Sequence, residues 1–185
     1  MEGEMLGSAA IDAWQAFWQG RRVRRPLVGA LVASYYPLKA FTEDRAGELV
    51  LPGDLTAEAV LEDFRLAAWG RRAAGAALWV ASAPLGIPWL EAVIGCPIRA
   101  TCGTAWPERP SYDWQEYDLA SVPWDNGWLA KLKELTGALV QAVGGHWPVG
   151  PGHLRGPTEA AAAMLGYEQM AYSLYDSPEE LRRLL

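Results

Sequence analysis

Two continuous apolar runs, residues 26–33 (PLVGALVA) and 76–83 (AALWVASA), constrain the chain most. Neither alternates polar with apolar, so neither suits a sheet with one wet face. Runs of this kind belong to strands covered on both sides, as in parallel sheets. Between them the spacing predicts a helix over 56–72. Thr56 caps it, Val60, Leu61, Phe64 and Ala68 form its apolar face, and Arg71 and Arg72 suit its negative dipole end before Gly75 stops it. A second helix is predicted over 126–143, with Leu129, Leu132, Leu135, Leu139, Val140 and Val143 inward and Gly144-Gly145 as its stop. Residues 146–149 then read as a short strand. Strand and helix in alternation is α/β logic. The three strands are therefore expected to lie parallel and adjacent, with loops 34–37, 84–91 and 150–156 on one face.

The flanks extend this pattern. Ser8 caps a first helix whose Ile11, Trp14, Phe17 and Trp18 share a face, and Gly20 ends it. The run Arg21-Arg22-Val23-Arg24-Arg25 reads as a solvated junction. Residues 97–124 read as irregular, rich in Pro, Trp and Tyr. Pro157 opens a further helix to Leu165, and Gly166 separates it from another over 167–174. Ser177-Pro178-Glu179-Glu180 reads as a capping box for a last helix with Leu181, Leu184 and Leu185 as its stripe. That helix has room for only about two turns, against a mean of about three. Three strands also leave open sheet edges. The expectation is the front half of a larger barrel, marginal or oligomeric alone. The alternative is a complete small α/β domain that dimerises.

Composition excludes several classes. With 51% apolar and 21% charged residues the chain reads as globular. A net charge of −6 leaves no broad basic field for a general nucleic-acid binder. There is no apolar run long enough for a membrane span and no basic, apolar N-terminal leader. Two cysteines make no disulfide framework, so a cytoplasmic protein is expected. The 10 tryptophans stand out, because Trp89, Trp106, Trp114, Trp124 and Trp147 fall in Pro/Gly-rich segments. They either build a pocket from loops or staple loops to the core.

An ordered series of segments carries a family resemblance. It runs Pro123-Trp124-Asp125-Asn126-Gly127-Trp128-Leu129, Gly144-Gly145-His146-Trp147-Pro148-Val149-Gly150, Leu154-Arg155-Gly156-Pro157-Thr158-Glu159 and Leu174-Tyr175-Asp176-Ser177-Pro178-Glu179-Glu180. Ile87-Pro88-Trp89-Leu90-Glu91-Ala92-Val93-Ile94-Gly95-Cys96-Pro97 adds to it. The series resembles divergent members of the uroporphyrinogen decarboxylase-like superfamily, loosely over 26–185 and well over 124–185. The resemblance implies a partial (βα)₈ TIM barrel, its N-terminal half, as one incomplete domain over 1–185. Residues 1–25 would form the N-terminal helix and basic junction, and 26–185 the first barrel strands and helices. A full barrel takes about 250 residues.

The superfamily's two chemistries part at the first loop. Decarboxylases resemble one another in an arginine-rich motif there, pairing with substrate carboxylates. Here it reads Ala33-Ser34-Tyr35-Tyr36-Pro37-Leu38, and no aspartate lies between Asp63 and Asp113. The resemblance therefore implies the other branch, in which a methyl group moves between a small methylated substrate or thiol and a corrinoid protein. Decarboxylation of uroporphyrinogen or another carboxylate-rich substrate is the alternative, and a non-catalytic half-barrel binding module the third reading. The methyltransferases use zinc held by a His-x-Cys pair and a later Cys in the second half of the barrel. Cys96 and Cys102 do not match that pattern and read as structural thiols. This chain is thus expected to hold no metal or cofactor itself, zinc and the corrinoid belonging to the full-length protein. No catalytic residue is assigned.

The candidate substrate-binding residues are Tyr35, Tyr36, Trp89, Glu91, His153 and Arg155. His153 and Arg155 sit between a strand and a Pro-initiated helix, where free N–H groups favour a substrate anion. Alternatively Arg155 pairs with a local carboxylate or carbonyl and His153 is a solvated loop residue. Tyr35, Tyr36 and Trp89 line a pocket or close the barrel top. Glu91 is a base, an anchor, or a first-turn acid of the next helix. His146, before its strand, reads as structural.

Overall fold

The computed structural model describes residues 8–22, 26–33, 38–77, 80–84 and 86–185. The chain is a mixed α/β fold in which helices dominate. In order it forms α1 (Ser8–Trp18), β1 (Gly29–Ala33), α2 (Lys39–Asp44), β2 (Leu49–Val50), α3 (Ala57–Gly70), β3 (Arg71–Gly75) and β4 (Ala81–Ser82). There follow α4 (Trp89–Val93), β5 (Ile98–Thr101), β6 (Thr104–Pro107), α5 (Gly127–Val143), β7 (Val149–Gly150), α6 (Pro157–Leu165), α7 (Tyr167–Asp176) and α8 (Pro178–Leu184). Single 3₁₀ turns precede α3 and α5, at Pro52–Asp54 and Leu119–Ser121. No helix among the described residues is long and apolar enough to cross a membrane.

One pair of predicted strands is parallel. β4 and β7 pair with Ala81 opposite Val149 and Ser82 opposite Gly150, although β4 is much shorter than the apolar run 76–83 and β7 overlaps the expected strand 146–149 only at Val149. The first run departs from expectation. β1 pairs antiparallel with β3, from Gly29 opposite Gly75 to Ala33 opposite Arg71, so three adjacent parallel strands do not form. The end of the predicted 56–72 helix is thus a strand. Gly29 and Gly75 account for the close pairing. A Cβ on Gly29 would collide with the Ala77 backbone, and one on Gly75 would stand 2.5 Å from the Val28 carbonyl oxygen. Gly75 also takes φ +68, a left-handed conformation open to glycine. Val28 and Val32 are exposed, so this run is not covered on both faces. No closed barrel forms among the described residues.

The 97–124 segment is also more regular than expected. β5 and β6 form a hairpin from Ile98 opposite Pro107 to Thr101 opposite Thr104, and β2 pairs antiparallel on β5. Gly103, at φ +93, makes the turn. Ile98 and Ala100 are buried while Arg99 and Thr101, alternating with them, are partly exposed, as in a half-covered strand. Arg99 holds the hairpin to the residue after it by a two-point pair with Glu108, at 2.5 and 2.9 Å, and donates to the Gly47 carbonyl.

The helices follow their local signals. Thr56 Oγ1 accepts from Ala59 N at 3.2 Å. Asn126 Oδ1 accepts from the amides of Trp128 and Leu129, and Gly144 at φ +54 ends α5. Leu135, Leu139 and Val143 are buried as predicted, but Val140 is exposed. On α1 the rings of Trp14, Phe17 and Trp18 contact one another and Trp14 Nε1 donates to the Ala76 carbonyl, while Trp18 stays 77% exposed. The Ser177 capping box is not formed, because the Ser177 side chain makes no cap bond and its own N–H is already held by the Ser173 carbonyl at 3.1 Å. Of the predicted stripe, Leu181 and Leu184 are buried and Leu185 is exposed.

Two apolar clusters result. One gathers Val50, Leu55, Ile87, Trp89, Ile98, Leu135 and Leu139 where α5 meets the strands. The other gathers Ile94, Cys96, Trp114, Met164, Leu165, Leu181 and Leu184 where α4, α6 and α8 meet. Among the loop tryptophans, Trp89 and Trp114 are stapled into these cores, Trp147 packs edge-on against Phe64, and Trp106 and Trp124 face solvent.

Candidate functional site

The parallel pairing of β4 and β7 brings the candidate residues of two loops to one end of the ladder. In a parallel pair the loops leaving both strands emerge at the same end, where α/β folds bind ligands. The segment after β4 runs through buried Pro84, Ile87 and Pro88 into α4. The loop after β7 runs over 151–156 into α6.

Trp89 joins the two. It is fully buried, donates Nε1–H to the Pro84 carbonyl at 3.0 Å, and meets Trp128 edge-on at 6.0 Å. The β7 loop crosses it at Gly152, where a Cβ would stand 2.8 Å from Trp89 Cδ1. Only a residue without a side chain fits there, so the glycine lets the loop lie against the indole.

Three residues on, Arg155 reaches α4. Its Nη2 lies 2.6 Å from Glu91 Oε1, with Glu91 fully buried and the Arg155 side chain 21% exposed. Glu91 stands in the first turn of α4, as one of its sequence readings had it, and is an ion-pair partner as well. Arg155 Nη1 stands 3.8 Å from Glu159 Oε2, in the first turn of α6, and the Tyr167 hydroxyl donates to that same oxygen at 2.9 Å. The guanidinium thus faces two carboxylates, the local pairing that was the alternative to a free anion site. Glu91 Oε1 and Oε2 nevertheless receive no aligned hydrogen bond, and Arg155 Nε is a buried donor without an acceptor.

Of the six candidates, the fold brings Trp89, Glu91 and Arg155 together. His153 is exposed on the same loop. Tyr35 and Tyr36 lie outside the described residues. Sequence reasoning missed Glu159, Tyr167 and Gly152. The first was within reach, because Arg155 and Glu159 are four residues apart, the spacing that joins side chains on a helix.

Cys96 lies beneath this cluster in the second core. Its thiol is pushed up to about 12, first by burial, then by the negative charge of Glu91, against the opposing charge of Arg155. It is a protonated core thiol, not a metal-ready thiolate. Tyr112 and Tyr117 stack at 4.7 Å beside it, and both hydroxyls donate to the Ile94 carbonyl, at 3.1 and 2.6 Å. Burial is the leading cause that raises both phenols. Among the described residues no three His, Cys, Asp or Glu side chains gather as metal donors. Comparison of the chain with protein-family models, with curated proteins and with solved structures found no match.

Proposed function

We propose that this chain is a divergent member of the uroporphyrinogen decarboxylase-like superfamily that carries the first strands and helices of a (βα)₈ barrel. Its reaction is the transfer of a methyl group between a small methylated substrate or thiol and a corrinoid protein. The observation that carries the reading is the meeting of the two strand-end loops. Segments leaving parallel strands β4 and β7 converge through Trp89, Gly152, Glu91 and Arg155, as the ligand-binding face of such a barrel requires. On this reading Trp89 fixes the floor, and Arg155, held by Glu91, orients what binds above it.

Charge favours methyl transfer over decarboxylation of a carboxylate-rich substrate. Arg155 already faces Glu91 and Glu159, so a substrate carboxylate would compete with two resident ones. A buried carboxylate left unpaired costs several kcal/mol, roughly. The test is turnover. The full-length, zinc-loaded protein is mixed with a methylated corrinoid protein and a thiol, and the corrin absorption is followed as the methyl group leaves cobalt. Loss of the methyl-cobalt spectrum with formation of a thioether is expected. Carbon dioxide release from uroporphyrinogen, with no change at the corrin, would overturn the choice of reaction.

A further inference from the structure

The polar atoms around Arg155 do not balance. An ionised carboxylate offers about four acceptor positions, and buried polar atoms in folded proteins find partners. Yet neither oxygen of fully buried Glu91 receives an aligned hydrogen bond, and Arg155 Nε has no acceptor. On the open side, the 3.8 Å between Arg155 Nη1 and Glu159 Oε2 is too long for a hydrogen bond. The Glu159 side chain there is 45% exposed. The edge thus presents a donor and an acceptor side by side, paired by charge but not joined by a hydrogen bond, with the carboxylate oxygen also accepting from the Tyr167 hydroxyl.

These facts narrow what fits between them. The group must accept from a guanidinium and donate to a carboxylate. Two carboxylates against one guanidinium give the cluster a formal excess of one negative charge, so an anion is repelled. A simple cation would suit Glu159 but would leave the guanidinium without an acceptor and meet its like charge. A primary carboxamide carries a carbonyl oxygen and two N–H donors on one planar carbon, and it is neutral.

We propose that the Arg155–Glu159 edge, backed by buried Glu91, binds a neutral primary carboxamide. The carbonyl oxygen accepts from the Arg155 guanidinium and the NH₂ group donates to Glu159 Oε2, beside the Tyr167 hydroxyl. The proposal rests on the reading of the strand-end loops as the binding face. Two sources carry the group: a small amide substrate, and the primary amide side chains on the rim of a corrin ring.

The experiment is equilibrium dialysis of the 185-residue chain against four probes, with tryptophan fluorescence as a second readout. Cobinamide carries amides on its rim and cobyrinic acid carries carboxylates. Acetamide and acetate are the small counterparts. Each amide is expected to bind about ten-fold tighter than its carboxylate, the size of one charge-assisted hydrogen bond. Saturable binding of cobinamide alone assigns the corrin rim, and binding of acetamide as well assigns a small amide. Glu159→Ala, at a partly exposed helical position, should erase the preference. If that variant fails to fold, Glu159→Lys should reverse it toward the carboxylates.

Equal or tighter binding of the carboxylates, a preference that survives both variants, or no saturable binding of either amide would each overturn the proposal. Methyl transfer without amide preference would sink the amide site and leave the reaction standing. Amide binding without methyl transfer would do the opposite.

Discussion

Removing the Arg155 guanidinium should unfold this protein far more readily than removing both members of its pair. Glu91 is fully buried and its nearest positive charge is Arg155 Nη2, at 2.6 Å. In Arg155→Met the carboxylate keeps its burial and loses its counter-charge, which costs about 3–5 kcal/mol in comparable pairs. In Glu91→Met with Arg155→Met the charges leave together and two apolar side chains of similar volume replace them. Such exchanges are neutral or stabilising, by about 1–4 kcal/mol. The assay is urea unfolding followed by tryptophan fluorescence. With an m-value of about 2 kcal/mol per molar urea, the single variant should lose about 2 M in midpoint. The double variant should return to the parent midpoint or pass it. A single variant within about 0.5 M of the parent, or a double variant whose loss is the sum of the two singles, would refute the reasoning.

Asn126→Ala removes the cap of α5 together with the 2.9 Å bond from Asn126 Nδ2 to the Val93 carbonyl, and should cost about 1–2 kcal/mol in the same assay. Asn126→Asp keeps the acceptor and should recover about half of that. Gly152→Ala drives a methyl group against the Trp89 indole and should cost about 1–3 kcal/mol, read as a lower melting temperature with a shifted fluorescence maximum. At pH 8, Cys102, which is exposed, should react with a thiol reagent at once, while Cys96 should react only after unfolding. Since the Cys96 thiol is raised from 9.0 to about 12 in the fold, the unfolded chain loses that proton first as pH rises. The contribution to stability should be whole below pH 9 and disappear by about pH 12, and Cys96→Ala should flatten that part of the stability profile.

Local signals were the legible ones. Thr56, Asn126, Pro157 and Gly166 mark helix ends through bonds and torsions within a few residues, so sequence alone places them. Pairing between distant strands is different. The apolar run 26–33 is as compatible with a ribbon as with a parallel sheet, and its choice of partner turns on Gly29 and Gly75 facing each other. The β5–β6 hairpin was hidden by Gly103 in its turn and Pro107 at its end, residues that elsewhere mark irregular chain. At the site, Trp89, Glu91 and Arg155 could be named as candidates from the loops they occupy. That Glu91 and Arg155 are each other's partner could not, since α5 and the whole hairpin separate them in sequence. Ser177 shows the limit of a motif: the pattern was present, but the neighbouring helix had already used its amide.

The parallel ladder of β4 and β7 also has a temporal meaning. Ala81 meets Val149 only after α4, the β5–β6 hairpin and α5 have been threaded between them, so this contact closes a long loop. Loop closure of that span is paid before its contacts reward it, which places the ladder among the late events of folding. Helices α3 and α5 can form beforehand from their own caps. The cluster around Arg155 has no such independence, because its two halves arrive on opposite sides of that closure. Binding competence is therefore acquired last, and a chain arrested with its helices formed would carry the secondary structure of this protein without its site. The Ala81 amide, held by the Pro148 carbonyl at 2.9 Å, is the natural clock for that step, since its protection from exchange begins when the two loops meet.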